Sequence, residues 1–177
     1  MDYSDCRYII TGGSGSGKSA IIKGLMKRGF LCYPEVSRKL IREQQECNGD
    51  MLPWKDMNSF ARECFVRMKQ QLIAEKTAPV FFDRGIPDII AYLESRKLPV
   101  NVDYGSYSLY YNSTLFLCPP WGDIFVNDRQ RPESFEESRI IYTILKRVYQ
   151  QLNFKIIELP FISVEERIDF ILSNLEA

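Results

Sequence analysis

The chain has 177 residues, with 23 Lys and Arg against 23 Asp and Glu, so no net charge favours binding to nucleic acid or to an anionic membrane. It contains no histidine, which excludes Ser-His-Asp catalysis, His-ligated zinc and imidazole-based pH switching. A hydrophobic fraction of 45% and a charged fraction of 26% are typical of a soluble globular protein, and the length suits one domain over residues 1–177.

Cysteine usage and the N-terminus indicate the cellular compartment. Five cysteines are scattered without a C-x-x-C pair, which favours reduced thiols: Cys6, Cys32, Cys47, Cys64 and Cys118. Residues 1–5 are acidic and polar, unlike a signal peptide. No apolar run approaches the roughly 20 residues of a membrane span. We therefore expect a cytoplasmic protein without nucleic-acid or membrane partners.

The first predicted element is a β-strand over residues 7–11, followed by T-G-G-S-G-S-G-K-S at 11–19 and by apolar residues at helical spacing that end near Gly29. Gly12, four residues, then Gly17-Lys18-Ser19 match the phosphate-binding motif G-x-x-x-x-G-K-[ST] at every defined position. A Gly/Ser-rich turn that binds nothing is the alternative. A linker does not need Lys-Ser at its end or a strand and a helix on its flanks.

The motif predicts specific chemistry at each position. Glycines let successive backbone N–H groups point inward and form an anion-binding nest, and the helix N-terminus adds positive charge. Lys18 is a point charge for the β- and γ-phosphates, and the Ser19 hydroxyl is a ligand for Mg²⁺. The predicted nucleotide-binding residues are Gly12, Gly13, Ser14, Gly15, Ser16, Gly17, Lys18, Ser19 and Ala20.

Residues 30–33 form the next apolar run, which suits a strand buried on both faces, and Pro34 ends it. Glu35 then opens a helix toward Cys47. Glu35 is a candidate to accept a proton from an acceptor hydroxyl or to hold a substrate, or it is a favourable charge at a helix N-terminus. Arg38 either binds a substrate anion or pairs with Glu35 at i,i+3.

The longest apolar stripe of the first half runs from Trp54 to Leu72 at helical spacing and contains aromatic and methionine side chains. A core-facing helix is favoured over an aromatic substrate pocket.

A strand over residues 80–82 ends at Asp83 and Arg84, and a helix follows from Asp88. A carboxylate at the end of a buried strand is the usual second anchor for a phosphate-bound metal, so Asp83 is the candidate; a turn or cap is the alternative. Arg84 pairs with Asp83 or contacts phosphate.

The second half continues the alternation of strands and helices. Tyrosine-rich residues 95–113 suggest a loop and a short helix, and strands follow at 114–117 and 155–159. Ser134-x-x-Glu137 and Ser163-x-x-Glu166 are capping boxes that predict the starts of two helices. Short apolar strands alternating with helices predict an α/β fold, a parallel five-stranded sheet covered on both faces, with ligands beyond the carboxyl ends of its strands.

The polar stretch before the first capping box carries Arg129 and Arg131. In an extended loop, residues two apart point the same way, so both guanidinium groups could close over a transferring phosphoryl group. A solvated charged loop is the alternative. The chain has no N-K-x-D element for guanine and no D-E pair after a strand, which disfavours Ras-like GTPases and hydrolytic motors. A lone Asp is more typical of a small-molecule kinase.

Together these residues resemble the NadR-like AAA-type family of P-loop ATPase and kinase domains over nearly the whole chain. The motifs that carry the resemblance are G-G-S-G-S-G-K-S at 12–19, Y-P-E-V-S-R at 33–38, F-F-D-R-G-I-P-D at 81–88, L-C-P-P-W at 117–121, N-D-R-Q-R-P-E-S-F-E-E at 127–137, E-L-P at 158–160 and S-V-E-E-R at 163–167. The resemblance implies a three-layer P-loop fold with sheet order 2-3-1-4-5. It also implies phosphate and Mg²⁺ roles for Lys18, Ser19 and Asp83, and a lid near 122–137 that holds Arg129 and Arg131.

The first functional hypothesis is transfer of a phosphoryl group from Mg²⁺-ATP to a small, hydroxyl-bearing, nucleoside-like acceptor. Lys18 and the loop would hold ATP, while Ser19 and Asp83 place Mg²⁺. Glu35 or Asp83 would orient the acceptor, and Arg129 and Arg131 would neutralise the phosphoryl oxygens. The alternative is a slow ATPase or a nucleotide-dependent regulatory protein that a protein partner reads.

Overall fold

Five parallel strands form the centre of the structure, in the order β2-β3-β1-β4-β5. The computed structural model describes residues 6–73, 78–100, 103–126 and 133–175. The strands in these ranges are β1 (Arg7–Gly12), β2 (Leu31–Tyr33), β3 (Val80–Asp83), β4 (Thr114–Cys118) and β5 (Lys155–Glu158). The helices are α1 (Lys18–Lys27), α2 (Val36–Glu46), α3 (Met57–Gln71), α4 (Asp88–Ser95), α5 (Phe135–Gln151) and α6 (Val164–Ser173). The sheet order confirms the expected P-loop fold.

The three central strands are buried on both faces, which explains why they read as continuous apolar runs. Their side chains alternate between two hydrophobic cores. Ile9, Phe82 and Leu115 belong to the core beneath α2, α3, α4 and α5. Tyr8 and Phe116 belong to the core beneath α1 and α6. The result is a three-layer α/β/α sandwich.

The two outer strands differ from the sequence expectation. The strand predicted over 30–33 to be buried on both faces starts at Leu31, which is 44% exposed, and it lies at an edge of the sheet. β5 lies at the other edge and ends at Glu158 instead of at 159. The physical reason is topological: an edge strand has one neighbour, and a short apolar run does not reveal which strands lie outside.

Helix starts follow local chemistry. Both predicted capping boxes are present, because Ser134 and Ser163 accept from the backbone N–H of Glu137 and Glu166, and each glutamate accepts in return. The stripe predicted from Trp54 is helical only from Met57. Asp56 caps α3 by accepting from the Ser59 N–H, so Trp54 lies in the preceding turn.

Sheet register brings the polar ends of three strands together. Ile10 of β1 pairs with Asp83 of β3, and Tyr33 of β2 pairs with Phe82. The loop after Gly12 and the residues that follow β2 and β3 therefore meet at one edge of the sheet.

The tyrosine-rich region contains the expected short helix, a 3-10 helix over Gly105–Tyr110. In the described ranges, no helix combines the length and the apolar character that crossing a bilayer requires.

Candidate functional site

The loop between β1 and α1 needs glycine at two positions. Gly15 and Gly17 have φ angles of 72° and 85°, in the left-handed region that strains other residues. A Cβ atom on Gly15 would also lie 2.4 Å from Cδ2 of Phe125. Gly17 is the N-cap of α1, which starts at Lys18 as the motif predicts. The loop therefore has the tight curvature of a phosphate-binding turn.

The Lys18 side chain lies across this loop. The residue is 3% exposed, and its Nζ donates to the Gly13 carbonyl at 2.6 Å. The Ser16 hydroxyl donates to the same carbonyl at 2.9 Å and lies 3.2 Å from Nζ. The N-terminus of α1 adds a partial positive charge at the same place. This concentration of positive charge on a concave backbone suits a polyphosphate.

Asp83 is the last residue of β3 and is 4% exposed. Its Oδ1 atom has no hydrogen-bond partner among the residues that the structure describes. Burial raises the pKa of Asp83, and the positive charges of Lys18 and Arg84 oppose that rise. A buried carboxylate oxygen without a partner is a suitable ligand for a cation.

Ser19 and Asp83 line the same cleft, which has a volume of about 1110 Å³. Ser19 is exposed, so its hydroxyl is accessible from that cleft. A hydroxyl and a carboxylate are hard oxygen donors of the kind that Mg²⁺ prefers. These two residues thus fit the predicted metal site. Arg38 also lines this cleft. Its sequence position allows two roles, binding of a substrate anion or pairing with Glu35.

Arg84 takes partners that the sequence did not suggest. Its Nε lies 3.2 Å from Glu35 Oε1, and its Nη1 donates to the Gly12 carbonyl at 3.2 Å and lies 3.3 Å from Asp88 Oδ1. All three charged side chains are at most 5% exposed. From the sequence, Arg84 is expected to pair with Asp83 or to contact phosphate. In the structure it is instead the cation of a buried Glu35–Arg84–Asp88 cluster.

The backbone of Arg84 is also unusual. Its φ of 75° is left-handed, and its N–H donates to the Ile10 carbonyl at 3.0 Å. A non-glycine residue in this region is strained by about 1–3 kcal/mol and persists only where its surroundings hold it. Here the ion pairs at Glu35 and Asp88 supply that restraint, so the geometry at the end of β3 is tightly determined.

Glu35 also lines a smaller cavity of about 120 Å³. Arg84 and Asp88 line its polar side, and its apolar wall includes Trp54, Met57, Phe60, Ala61, Cys64, Met68, Ile89 and Tyr92. Within α3, four residues of the 54–72 stripe are buried core residues, as the sequence favoured: Phe60, Ala61, Cys64 and Met68. The same four also line the cavity, so the two interpretations of the stripe are not exclusive.

The structure unites most of the predicted site residues. The loop at 12–20, Glu35 and Asp83 lie around one edge of the sheet. Arg129 and Arg131 lie outside the described residues, as do all of residues 127–132 of the lid predicted near 122–137.

Several residues at the site were not predicted from the sequence to belong to it. Asp88, predicted only to start a helix, is 2% exposed and accepts from the hydroxyls of Thr11 and Tyr149 and from the Gly85 N–H. Burial and the neighbouring Asp88 charge raise the pKa of Tyr149 far above its usual range. The motif D-R-G-I-P-D contained Asp88. Its partners are 77 and 61 positions away, which no local pattern reveals.

One family model and several solved structures match this chain. The model of a family described as an AAA domain (AAA_28) matches residues 7–167. No curated protein gives a significant sequence match.

Several solved structures share the fold. A deoxyadenosine kinase from M. mycoides with bound products superposes with a TM-score of 0.64 at 17% identity, covering 96% of this chain and 97% of that one. A shikimate kinase from Acinetobacter baumannii in complex with shikimate gives 0.58 at 15% identity, covering 94% and 90%. A NadR protein in complex with NR gives 0.66 at 17% identity and covers 96% of this chain, which spans 50% of that protein. At these identities the likeness establishes the fold.

Proposed function

Because the chain belongs to the AAA_28 family of AAA domains, with the P-loop kinase fold, we propose that it transfers a phosphoryl group from Mg²⁺-ATP to a small hydroxyl-bearing acceptor. The reaction needs a triphosphate-binding site, a metal site and an acceptor pocket, and these three must adjoin one another. The described part of the molecule supports each of these requirements.

The observation that carries the proposal is the position of Glu35 between two cavities. Glu35 lines the large cleft that holds Ser19 and Asp83, and it also lines the small cavity that holds Arg84 and Asp88. A carboxylate at this boundary is placed to orient an acceptor hydroxyl toward a nucleotide on the loop. It would accept the proton of that hydroxyl as the bond to phosphorus forms.

The nucleotide would lie on residues 12–20. Backbone N–H groups, the Lys18 ammonium and the α1 N-terminus would bind its phosphates. Ser19 and Asp83 would hold Mg²⁺, which neutralises phosphate charge when it is bound. Lys18, now bonded to the Gly13 carbonyl, would exchange that carbonyl for a phosphate oxygen.

The small cavity indicates the chemical class of the acceptor. Trp54, Met57, Phe60 and Tyr92 are apolar or aromatic walls for a planar ring. Its charged lining consists of three carboxylates (Glu35, Asp88 and Glu133) and two guanidinium groups (Arg84 and Arg96). The excess of negative charge disfavours a phosphate or carboxylate inside it. We infer a neutral or cationic, nucleoside-like acceptor.

The fold relatives favour a small-molecule acceptor over a protein, because a deoxyadenosine kinase and a shikimate kinase share the architecture. The proposal has two further parts. Arg129 and Arg131 would close over the phosphoryl group, and residues 1–177 would form a single catalytic domain. Both stay predictions from the sequence.

Acceptor-stimulated ADP release tests this function. The protein is incubated with Mg²⁺-ATP and a panel of uncharged and cationic nucleosides, with nucleoside monophosphates as the charged comparison. We expect one of the first group to raise ADP release at least tenfold and the Glu35→Gln variant to lose that stimulation. Slow release that ignores every acceptor and responds to a protein would favour the regulatory alternative instead.

A further inference from the structure

Two helices of the second half contact the outer side of the loop between β1 and α1. The Ser138 hydroxyl of α5 donates to the Ser14 carbonyl at 2.8 Å. The Arg167 Nη1 of α6 donates to the Ser16 carbonyl at 3.3 Å. These partners are 124 and 151 positions apart in the chain, so neither contact is a by-product of local backbone geometry.

Both side chains are buried. Ser138 is 0% exposed and Arg167 is 1% exposed, which places a guanidinium group inside the protein. Removing such a charge from water costs several kcal/mol unless hydrogen bonds and charges compensate. The Ser16 carbonyl provides one compensating contact, and the Trp121 ring, 5.8 Å from the guanidinium carbon, provides another. The Nε and Nη2 atoms of Arg167 have no hydrogen-bond partner among the described residues, so these two contacts compensate the burial only in part.

The direction of these hydrogen bonds determines where the loop N–H groups point. Every peptide bond among the described residues is trans. The C=O and N–H of one trans peptide point in opposite directions. The peptide whose carbonyl faces Ser138 carries the N–H of Gly15, and the peptide whose carbonyl faces Arg167 carries the N–H of Gly17. Both N–H groups thus point away from α5 and α6.

We propose that Ser138 and Arg167 are positioning residues that hold the Ser14 and Ser16 peptides so that the Gly15 and Gly17 N–H groups face the phosphates before a nucleotide binds. This inference rests on the proposed nucleotide site and adds to it two side chains that contact the carbonyls of the loop. The loop has two glycines with left-handed φ and would otherwise sample several backbone states. Ordering it in advance reduces the conformational cost of binding.

Nucleotide binding by matched variants tests the proposal. We expect Ser138→Ala to raise the dissociation constant of Mg²⁺-ATP about five- to tenfold, because one neutral hydrogen bond is lost. Arg167→Met is expected to raise this dissociation constant about 10- to 100-fold. Arg167→Lys keeps the charge with a shorter reach, so its dissociation constant should lie between those of the wild type and Arg167→Met. Ser173→Ala on α6 and Arg139→Met on α5 remove an exposed hydroxyl and an exposed guanidinium as controls.

A second readout examines the loop without nucleotide. In protein labelled with ¹⁵N-glycine, the ten glycines give few amide signals, and those of Gly15 and Gly17 should be single and sharp. Ser138→Ala and Arg167→Lys should broaden these two signals and leave Gly29 and Gly49 unchanged, since the loop then exchanges between conformations. A role limited to fold stability would lower the melting temperature without this local change.

Two results separate the possible failures. If the wild-type protein binds no nucleoside triphosphate, the proposed function is wrong. If the wild type binds Mg²⁺-ATP while Ser138→Ala and Arg167→Lys bind it equally tightly with unchanged glycine signals, the positioning role is wrong. These two conservative variants keep the test decisive even if Arg167→Met does not fold.

Discussion

Arg84 Nε lies 3.2 Å from Glu35 Oε1, although 49 positions separate the two residues in the chain. The sheet register explains the contact. Tyr33 pairs with Phe82, so the residues two positions beyond each of them leave the sheet side by side. Both side chains are 5% exposed, so this ion pair is shielded from water. Arg84, which directly follows β3, therefore links the end of that strand to Glu35, the N-cap residue of α2.

Removing Arg84 should destabilise the fold. The Arg84→Met variant would leave Glu35 and Asp88 as buried carboxylates without their shared cation, and we expect a loss of about 3–5 kcal/mol in the free energy of unfolding. Urea denaturation measures the loss. The control is Arg139→Met, which breaks an exposed pair with Glu136 and should cost less than about 1 kcal/mol. Equal losses in the two variants would contradict the assigned cluster.

Removing Lys18 should affect catalysis far more than stability. The Lys18→Ala variant loses the charge that binds the phosphates, and we expect turnover to fall at least 100-fold. The melting temperature without nucleotide should change by only a few degrees, since the lost hydrogen bonds to Gly13 and Ser16 join Lys18 to its own loop and not to another element. Lys27→Ala in the last turn of the same helix removes an exposed charge and should retain full turnover. Lys18→Ala activity within twofold of the wild type would refute this role.

Replacing Asp83 should weaken Mg²⁺ binding and leave metal-free ATP binding nearly unchanged. The Asp83→Asn variant keeps the shape of the side chain but removes the charge that would face Mg²⁺. We expect the Mg²⁺ concentration for half-maximal ATP turnover to rise at least tenfold, while calorimetry shows metal-free ATP binding close to that of the wild type. Asp50→Asn, which alters an exposed acid beside Lys55, is the control. An unchanged Mg²⁺ requirement would exclude Asp83 as a ligand.

Filling the small cavity should weaken acceptor binding and leave nucleotide binding unchanged. Ala61 is 2% exposed and lines that cavity, so Ala61→Leu would occupy part of its volume. We expect the KM for the acceptor to rise at least tenfold and the dissociation constant of Mg²⁺-ATP to stay within twofold. Overpacking would cost about 1–3 kcal/mol of stability, which denaturation measures independently. A parallel rise in both constants would place the acceptor elsewhere.

Alkaline pH should destabilise the protein through Cys64. Burial raises the pKa of this thiol from 9.0 to about 12. Because the folded pKa lies above the unfolded one, the stabilising contribution is complete below pH 9 and is lost as the pH rises toward 12. Between pH 8 and pH 10 the wild type should lose about 1.4 kcal/mol more than Cys64→Ala.

The matched control for that experiment is Cys47→Ala, because Cys47 is exposed. Its loss of unfolding free energy between the two pH values should equal that of the wild type. If Cys64→Ala also follows the wild type, the thiol is not the group that titrates.

Much of the fold was readable from short stretches of sequence. The glycine loop, the start of α1 at Lys18 and both capping boxes depend on residues within about one helical turn, and each of these predictions is confirmed. The buried strands were visible as apolar runs, while their order rested on the resemblance to a known family and is confirmed by the sheet. The expectation that residues 30–33 are buried on both faces was wrong, because exposure depends on neighbours distant in sequence.

The contacts within the site could be identified only from the tertiary structure. The phosphate-binding motif predicted roles for Lys18 and Ser19, and positions after predicted strands made Glu35 and Asp83 candidates. The sheet register brings these positions together. The sequence could not choose the partners of Arg84, find the cavity beside Glu35, or connect Ser138 and Arg167 to the loop. Local patterns determine backbone conformation over a few residues. Contacts between residues more than a hundred positions apart exist only after the layers pack, so only the folded chain decides them.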